Sequence, residues 1–354
     1  MNKFLYFPMI KTRDSELRCF ANIKEGDFND LLPIYELTKS RKTKKTPDGD
    51  IYRRMKQIGA IQNGRPFILD LCTDPKYINP QIEQLLSPHF GFKDWQYFVF
   101  DLHNELNIIP MIHIYEDQGG VAEEVEAFVD AASQRTPFLA VRLPYDLGRE
   151  DVARYLEPII SALKNGCKIY VVLDAGFVRN DPVSDIVDEF LDSYEGLVDL
   201  KYGIEDVVIM STSFPSTPAK EGGGDSKGQF DIFEENIYQG VVEEHNVKYG
   251  DYVSINTEQI EIKGGTFVPR IDVAAENGFS FSYKRYRRNR GGYVLCAKET
   301  IKDTGNYTPL GTWADEEIKL AANDSPSGIS PAFWISVRMN YYIETRLRLR
   351  RSSN

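Results

Sequence analysis

The chain has 354 residues, 42% of them hydrophobic and 27% charged, with a formal net charge of −11. That length and apolar content suit a large core, in one α/β barrel or two smaller domains, and the acidic balance argues against wholesale coating of nucleic acid while allowing local basic patches. Cys19, Cys72, Cys167 and Cys296 are scattered and the apolar runs are short, so a disulfide framework, an export signal and a membrane span are not expected and the chain reads as cytoplasmic.

Residues 4–11 read as a first strand, followed by a helical segment over 14–23 with Asp14 as a cap. The second strand spans 31–37. A basic stretch with Lys39, Arg41, Lys42, Lys44 and Lys45 comes next, then helical spacing over 51–61. The third strand is 67–72. Helical segments at 80–86 and near 95–106 lead to the fourth, 108–116, and Val121, Val125 and Val129 mark a helix over 121–132. Residues 138–143 are the fifth strand and 152–163 its helix. The sixth strand, 168–176, is an apolar run rich in β-branched residues that ends on Asp174, the pattern of a strand buried on both faces. A helix at 183–191, a seventh strand at 206–213, a flexible loop at 215–228 carrying Gly222-Gly223-Gly224, a helix at 230–244 and an eighth strand at 251–256 complete the series.

Eight strands separated by helices imply parallel pairing with right-handed crossovers. Eight such units over about 250 residues match a (β/α)8 TIM-like barrel. An open doubly wound sheet is the rival, but it usually starts with a glycine-rich first turn, and Lys11-Thr12-Arg13-Asp14 has none. The expected organisation is therefore a barrel over 1–256, an insertion over 257–329 and a closing helix with a basic tail over 330–354. Within the insertion, 266–273 and 278–284 alternate with period two around an Asn277-Gly278 turn, the mark of a hairpin. Ser330-Pro331 gives the last helix a cap and a proline at its first position. Its arginines, Arg346, Arg348, Arg350 and Arg351, suit a helix C-terminus.

Barrel enzymes carry their chemistry at the C-terminal ends of the strands. Those ends hold Lys11, Glu36, Asp70, His113, Arg142, Asp174, Ser211 and Asn256. Charged side chains are almost never buried without partners, so their recurrence in apolar strands needs a cause. One reading is a ligand site: Glu36, Asp70 and Asp174 as acid and base or as ligands of a hard divalent cation such as Mg, and Lys11 with Arg142 facing an anion. The other is a charge-compensated layer that closes the barrel. The glycine run lacks the Walker spacing GxxxxGK[ST] and reads as a mobile loop. Lys284, Arg285, Arg287, Arg288 and Arg290, interleaved with Tyr283, Tyr286 and Tyr293, form the densest basic patch. It suits phosphate contact and base stacking, or a solvated hairpin end paired with acids elsewhere. His89, His103 and His245 show no HxH or HExxH spacing and no GxSxG elbow exists, so a histidine-built metal site and a Ser-His-Asp triad are not expected.

The segments Tyr6-Phe7-Pro8-Met9-Ile10-Lys11, Leu32-Pro33-Ile34-Tyr35-Glu36-Leu37, Val141-Arg142-Leu143, Val172-Leu173-Asp174 and Tyr249-Gly250-Asp251-Tyr252, together with the Asp70 strand, resemble the beta protein family of phages and bacterial genomes. The resemblance spans most of the chain and implies a phage, mobile-element or anti-phage-defence setting rather than a reaction. Family members tend to end in a Trp…His-His helix, whereas here the matching helix reads Trp334 followed by Asn340, Tyr341 and Tyr342. The expectation is a barrel that binds a phosphate-bearing ligand, a nucleotide or nucleic acid, at its mouth; if it is an enzyme, the reaction is acid–base or metal-assisted hydrolysis. Its rival is a non-catalytic module that docks a protein partner or nucleic acid through the basic hairpin.

Overall fold

The computed structural model describes residues 4–114, 116–117, 120–257 and 267–352. Tyr115, Gln118, Gly119 and residues 258–266, with Thr266 of the expected hairpin, lie outside the described residues, as do 1–3 and the last two of the tail. Eight parallel strands close a barrel: β1 (Tyr6–Lys11), β2 (Ile34–Leu37), β3 (Phe67–Leu71), β4 (Ile108–Ile112), β5 (Phe138–Pro144), β6 (Lys168–Phe177), β7 (Ile204–Thr212) and β8 (Lys248–Asp251). Each pairs with its neighbours in sequence order, and β8 returns to β1. The (β/α)8 TIM-like barrel expected from strand–helix alternation is the fold.

The eighth strand lies earlier than its apolar pattern suggested. Residues 251–256 offered more branched and aromatic side chains, but β8 runs Lys248–Asp251, with Tyr249 opposite Tyr6 and Ile209. The chain cannot continue as a strand because Val253 and Ser254 adopt φ of 50° and 58°, the left-handed region that a β-branched residue enters only at a cost. Gly250 instead fits the barrel wall. A Cβ there would stand 2.8 Å from Val208 Cγ1, 3.0 Å from Met210 Cε and 3.2 Å from the Phe7 carbonyl. Gly250→Ala should accordingly destabilise by about 1–3 kcal/mol through overpacking, read as a lower urea midpoint at unchanged slope; an unchanged midpoint would show that the wall can yield.

Side chains alternate across each strand. Phe7 and Met9, Ile34, Ile68, Ile109 and Met111, Ala140, Tyr170 and Val172, Val208 and Met210 point inward and fill the barrel as one apolar cluster. Their neighbours, such as Ile10, Tyr35, Leu69, Val141, Val171 and Ile209, pack outward against the helices. Two residues past the last inward apolar position of each strand come Lys11, Glu36, Asp70, His113, Arg142, Asp174, Thr212 and Tyr252. This is one layer, set on top of an apolar plug and facing the mouth.

Beyond the barrel, Arg270–Ala274 and Ser280–Arg285 form the expected hairpin. It gains a third antiparallel strand, Lys227–Asp231, from a stretch expected to be loop and helix; the helix starts later, at Glu234–Val242. The glycine run is not loose. After a short helix, Pro218–Glu221, Gly222 and Gly228 press on the Tyr283 ring, where a Cβ would come within 2.3 Å and 2.9 Å of Cε1, and Tyr283 Oη donates to the Gly224 carbonyl. Those glycines serve close packing.

The closing helix runs Pro331–Ser352, and its arginines are not a solvated tail. Arg346 is fully buried and Arg350 nearly so; both pair with the buried Glu235, and Arg346 also lies near Asp251. Asp251 accepts hydrogen bonds from Tyr6 (2.5 Å), Tyr249 (2.7 Å), Tyr342 (2.7 Å) and the Val253 amide (2.8 Å). This knot clamps the helix to the outside of β1 and β8. No helix among the described residues is long and apolar enough to cross a membrane.

Candidate functional site at the barrel mouth

In the polar layer, Lys11 Nζ donates to Glu36 Oε1 at 2.7 Å. Arg142 lies between two carboxylates: Nη1 donates to Asp174 Oδ2 at 3.2 Å, and Nη2 is 2.8 Å from Asp70 Oδ2. The second contact lacks hydrogen-bond geometry, leaving Asp70 Oδ2 buried and unsatisfied, while Oδ1 accepts the Leu71 amide at 2.8 Å. Tyr252 donates to Asp174 Oδ2 at 2.5 Å. His113 lies 3.9 Å from Asp70 Oδ1, its Nε2 buried without a partner. Register sets this up: Lys11 is opposite Glu36 and Glu36 opposite Asp70.

Two cations face three carboxylates, so one acid lacks full compensation. It is Asp70. Burial pushes its carboxyl up from 3.8 to about 6, Arg142 opposes this, and Glu36 and Asp174 add to it. Burial acts on Glu36 the same way, but Arg142 and Lys11 overcome it and hold that carboxyl below its ordinary value. Burial, with Arg142 beside it, lowers His113 to about 3, so its imidazole is neutral. One carboxylate firmly ionised and one holding a proton close to neutrality are the two states that acid–base work requires.

A divalent cation does not fit this arrangement. The guanidinium stands between Asp70 and Asp174, Lys11 takes Glu36, and among the described residues no group of three His, Cys, Asp or Glu side chains is arranged to hold a metal ion. The anion-clamp role also needs correction, since Lys11 and Arg142 are both spoken for by acids. Ser211 does not belong to the site: one position out of phase, it faces the helices with Ile209, buried. Asn256, beyond β8, donates to the Phe214 carbonyl at 2.8 Å and reaches the mouth from its loop.

Two cavities flank the layer. One, about 310 Å³, is lined by Asp70, Phe92, His113 and Arg142. The other, about 220 Å³, is lined by Lys11, Arg13, Lys76, Tyr77, Tyr252 and Asn256, with Glu16 and Asp74 as its acids. There the Tyr77 ring has Lys11 at 5.4 Å, Arg13 at 5.6 Å and Lys76 at 5.4 Å. The strand-end pattern of the sequence does not point to Arg13, Lys76, Tyr77 or Tyr252. The first three come from βα loops, and Tyr252 was concealed by the misplaced eighth strand.

The beta protein family profile matches residues 6–348. The chain belongs to the beta protein family. It is 26% identical over 360 residues to "Protein beta" of Enterobacteria phage P4, covering 98% of this chain and 94% of that one. In this beta family protein the closing helix carries Tyr341 and Tyr342, whose hydroxyls donate to the Thr308 carbonyl and to Asp251. That end of the helix is structural here.

Of the basic patch, two members are neutralised within the fold: Lys284 is buried against Asp303 and Arg285 pairs with Asp225. Arg287, Arg288 and Arg290 are exposed, the last two on a short 3-10 turn before the helix Gly292–Lys302. The patch thus keeps three of its five cations.

Proposed function

We propose that this beta family protein binds a phosphate-bearing ligand, a nucleotide or a nucleic-acid end, at the barrel mouth, and that Asp70 and Glu36 supply acid–base groups for its hydrolysis. The observation that carries the reading is the exposed Lys76 at the Tyr77 ring, beside Lys11 and Arg13, which Glu36 and Glu16 hold in place, all inside one cavity of an acidic protein. Cations held in a concave, partly desolvated site are what an anion recognises. The exposed Arg41, Lys42, Lys44 and Lys45 follow β2 on the same rim, and Lys39 ties that stretch to the Tyr77 segment by donating to the Ile78 carbonyl at 2.7 Å. The phage kinship supports placing the ligand in a phage or anti-phage-defence setting.

The exposed Arg287, Arg288 and Arg290 favour the second reading, a module that docks a nucleic acid or protein through the hairpin. Calorimetric titration separates the two. Lys76→Ala removes an exposed cation from the mouth and should weaken pyrophosphate or nucleotide binding about tenfold or more. Unchanged affinity in Lys76→Ala, with loss in an Arg287/Arg288/Arg290 triple alanine variant, would transfer the function to the hairpin.

A further inference from the structure

The Tyr77 cavity is too small for a whole nucleotide, since sites for such ligands usually span about 300–1,000 Å³. It does not end there. Arg13, Ile255 and Asn256 also line a second cleft, about 600 Å³, between the barrel mouth and the three-stranded sheet. The cleft differs in character. Its walls are Phe214, Pro215, Phe267, Val268, Tyr293 and Trp334, with Tyr293 and Trp334 stacked at 4.8 Å. Arginines are set into that apolar wall: Arg270 and Arg338 share Asp272, Arg338 lies 4.0 Å from the Phe214 ring, and Arg285 and Arg13 reach the edge. Counting Glu16 and Asp225, which pair with Arg13 and Arg285, the wall keeps a positive balance.

We propose that the cleft is a base subsite: the ligand joins phosphate to a flat heteroaromatic ring, and the ring lies between Phe267 and the Trp334 side while the phosphate occupies the Tyr77 cavity. For the phosphate position this rests on the reading above; for the ring it rests on the cleft alone. Three features select a nucleobase over an aliphatic group. Aromatic walls stack on either face of a ring. Guanidinium groups pack on π-faces and donate to ring carbonyls and nitrogens. The shared residues make the two chambers continuous, as a molecule with an anionic end and a flat apolar end demands.

The backbone gives independent support. Val253 and Ser254, both left-handed, immediately precede Ile255 and Asn256, which line both chambers. That conformation turns Tyr252 toward Asp174 while presenting Ser254 Oγ and its carbonyl to Arg338, at 3.2 Å and 2.9 Å. Strain in a β-branched residue persists where the surroundings over-determine it, and such places cluster at ligand sites.

The test uses the full chain and three kinds of probe: the nucleoside monophosphates and triphosphates of adenine, guanine, cytosine and uracil, the corresponding nucleosides, and pyrophosphate with ribose 5-phosphate. Binding is read by calorimetry and by Trp334 fluorescence, with Trp334→Phe as the assignment control. At least one nucleotide should bind about tenfold or more tightly than ribose 5-phosphate and perturb Trp334. Phe267→Ala, at a half-exposed position outside the core, should weaken that nucleotide and its nucleoside about tenfold and leave pyrophosphate unchanged. Lys76→Ala should do the reverse, weakening nucleotide and pyrophosphate but not nucleoside. Nucleotide and ribose 5-phosphate binding equally, no nucleotide binding at all, or Phe267→Ala without effect overturns the base subsite. Lys76→Ala without effect on pyrophosphate overturns the phosphate reading alone.

Discussion

Arg346→Ala should be the most destructive single change in the closing helix, destabilising by about 3–5 kcal/mol out of a total that is about 5–15 kcal/mol for most proteins. The guanidinium is fully buried. It donates to Glu235 Oε2 at 3.0 Å and to the Gly278 carbonyl at 2.8 Å, and lies over the rings of Tyr342 and Tyr249 at 4.6 Å and 5.4 Å. Removing it leaves Glu235 and Asp251 short of positive charge where water does not reach, and an uncompensated buried ion costs far more than the pair contributed. It also frees a volume beside Gly278, where even a Cβ would collide with this side chain at 2.5 Å. Five residues on, Arg351 pairs with Asp27 and Asp30 at the surface, and its alanine variant should lose no more than about 1 kcal/mol. Urea unfolding of the two variants side by side checks the contrast. Equal, small losses would mean that the helix is held by its apolar face alone.

Those two arginines look alike in the sequence, and that marks where legibility ends. The barrel was readable because its strands are short apolar runs separated by helical periodicity, and because the first six end on an ionisable residue that such a run cannot bury unaided. Alternation then placed six of the named residues, Lys11, Glu36, Asp70, His113, Arg142 and Asp174, in one layer. Failures followed where partners are distant in sequence. Arg346 meets a glutamate 111 positions earlier, and Arg285 meets an aspartate 60 positions earlier, so charges that read as a basic tail and a basic patch are partly internal. Ser211 failed for a simpler reason: an offset of one residue exchanges the faces of a strand. The eighth strand failed because Gly250, which the crowded wall requires, weakens the strand signal that Val253 and Ile255 imitate.

Asp70→Asn should raise stability at pH 8 and leave it nearly unchanged at pH 4. The folded carboxyl titrates at about 6 against an ordinary 3.8, so the native state holds this proton more tightly than the unfolded chain does. Below about pH 4 both states are protonated and the group costs nothing. As pH rises through 6 the native state must ionise a buried acid beside Glu36 and Asp174, and stability falls by up to about 3 kcal/mol. Asparagine keeps the shape and never ionises, while Arg142 retains Asp174. Glu36, held low by Arg142 and Lys11, works with the opposite sign: its contribution is present above 4.5 and fades as pH falls, so wild-type stability should peak between the two titrations. Urea curves for wild type and variant at pH 4 and pH 8 decide the matter. An asparagine variant less stable than wild type at pH 8 would make Asp70 a strut of a charge-compensated layer, there to close the barrel. A gain at pH 8 means the opposite, because a residue whose removal strengthens the fold is retained for something other than folding. If the same variant also loses turnover of the nucleotide that binds at the mouth, the proton that Asp70 holds near neutrality is the one the chemistry uses.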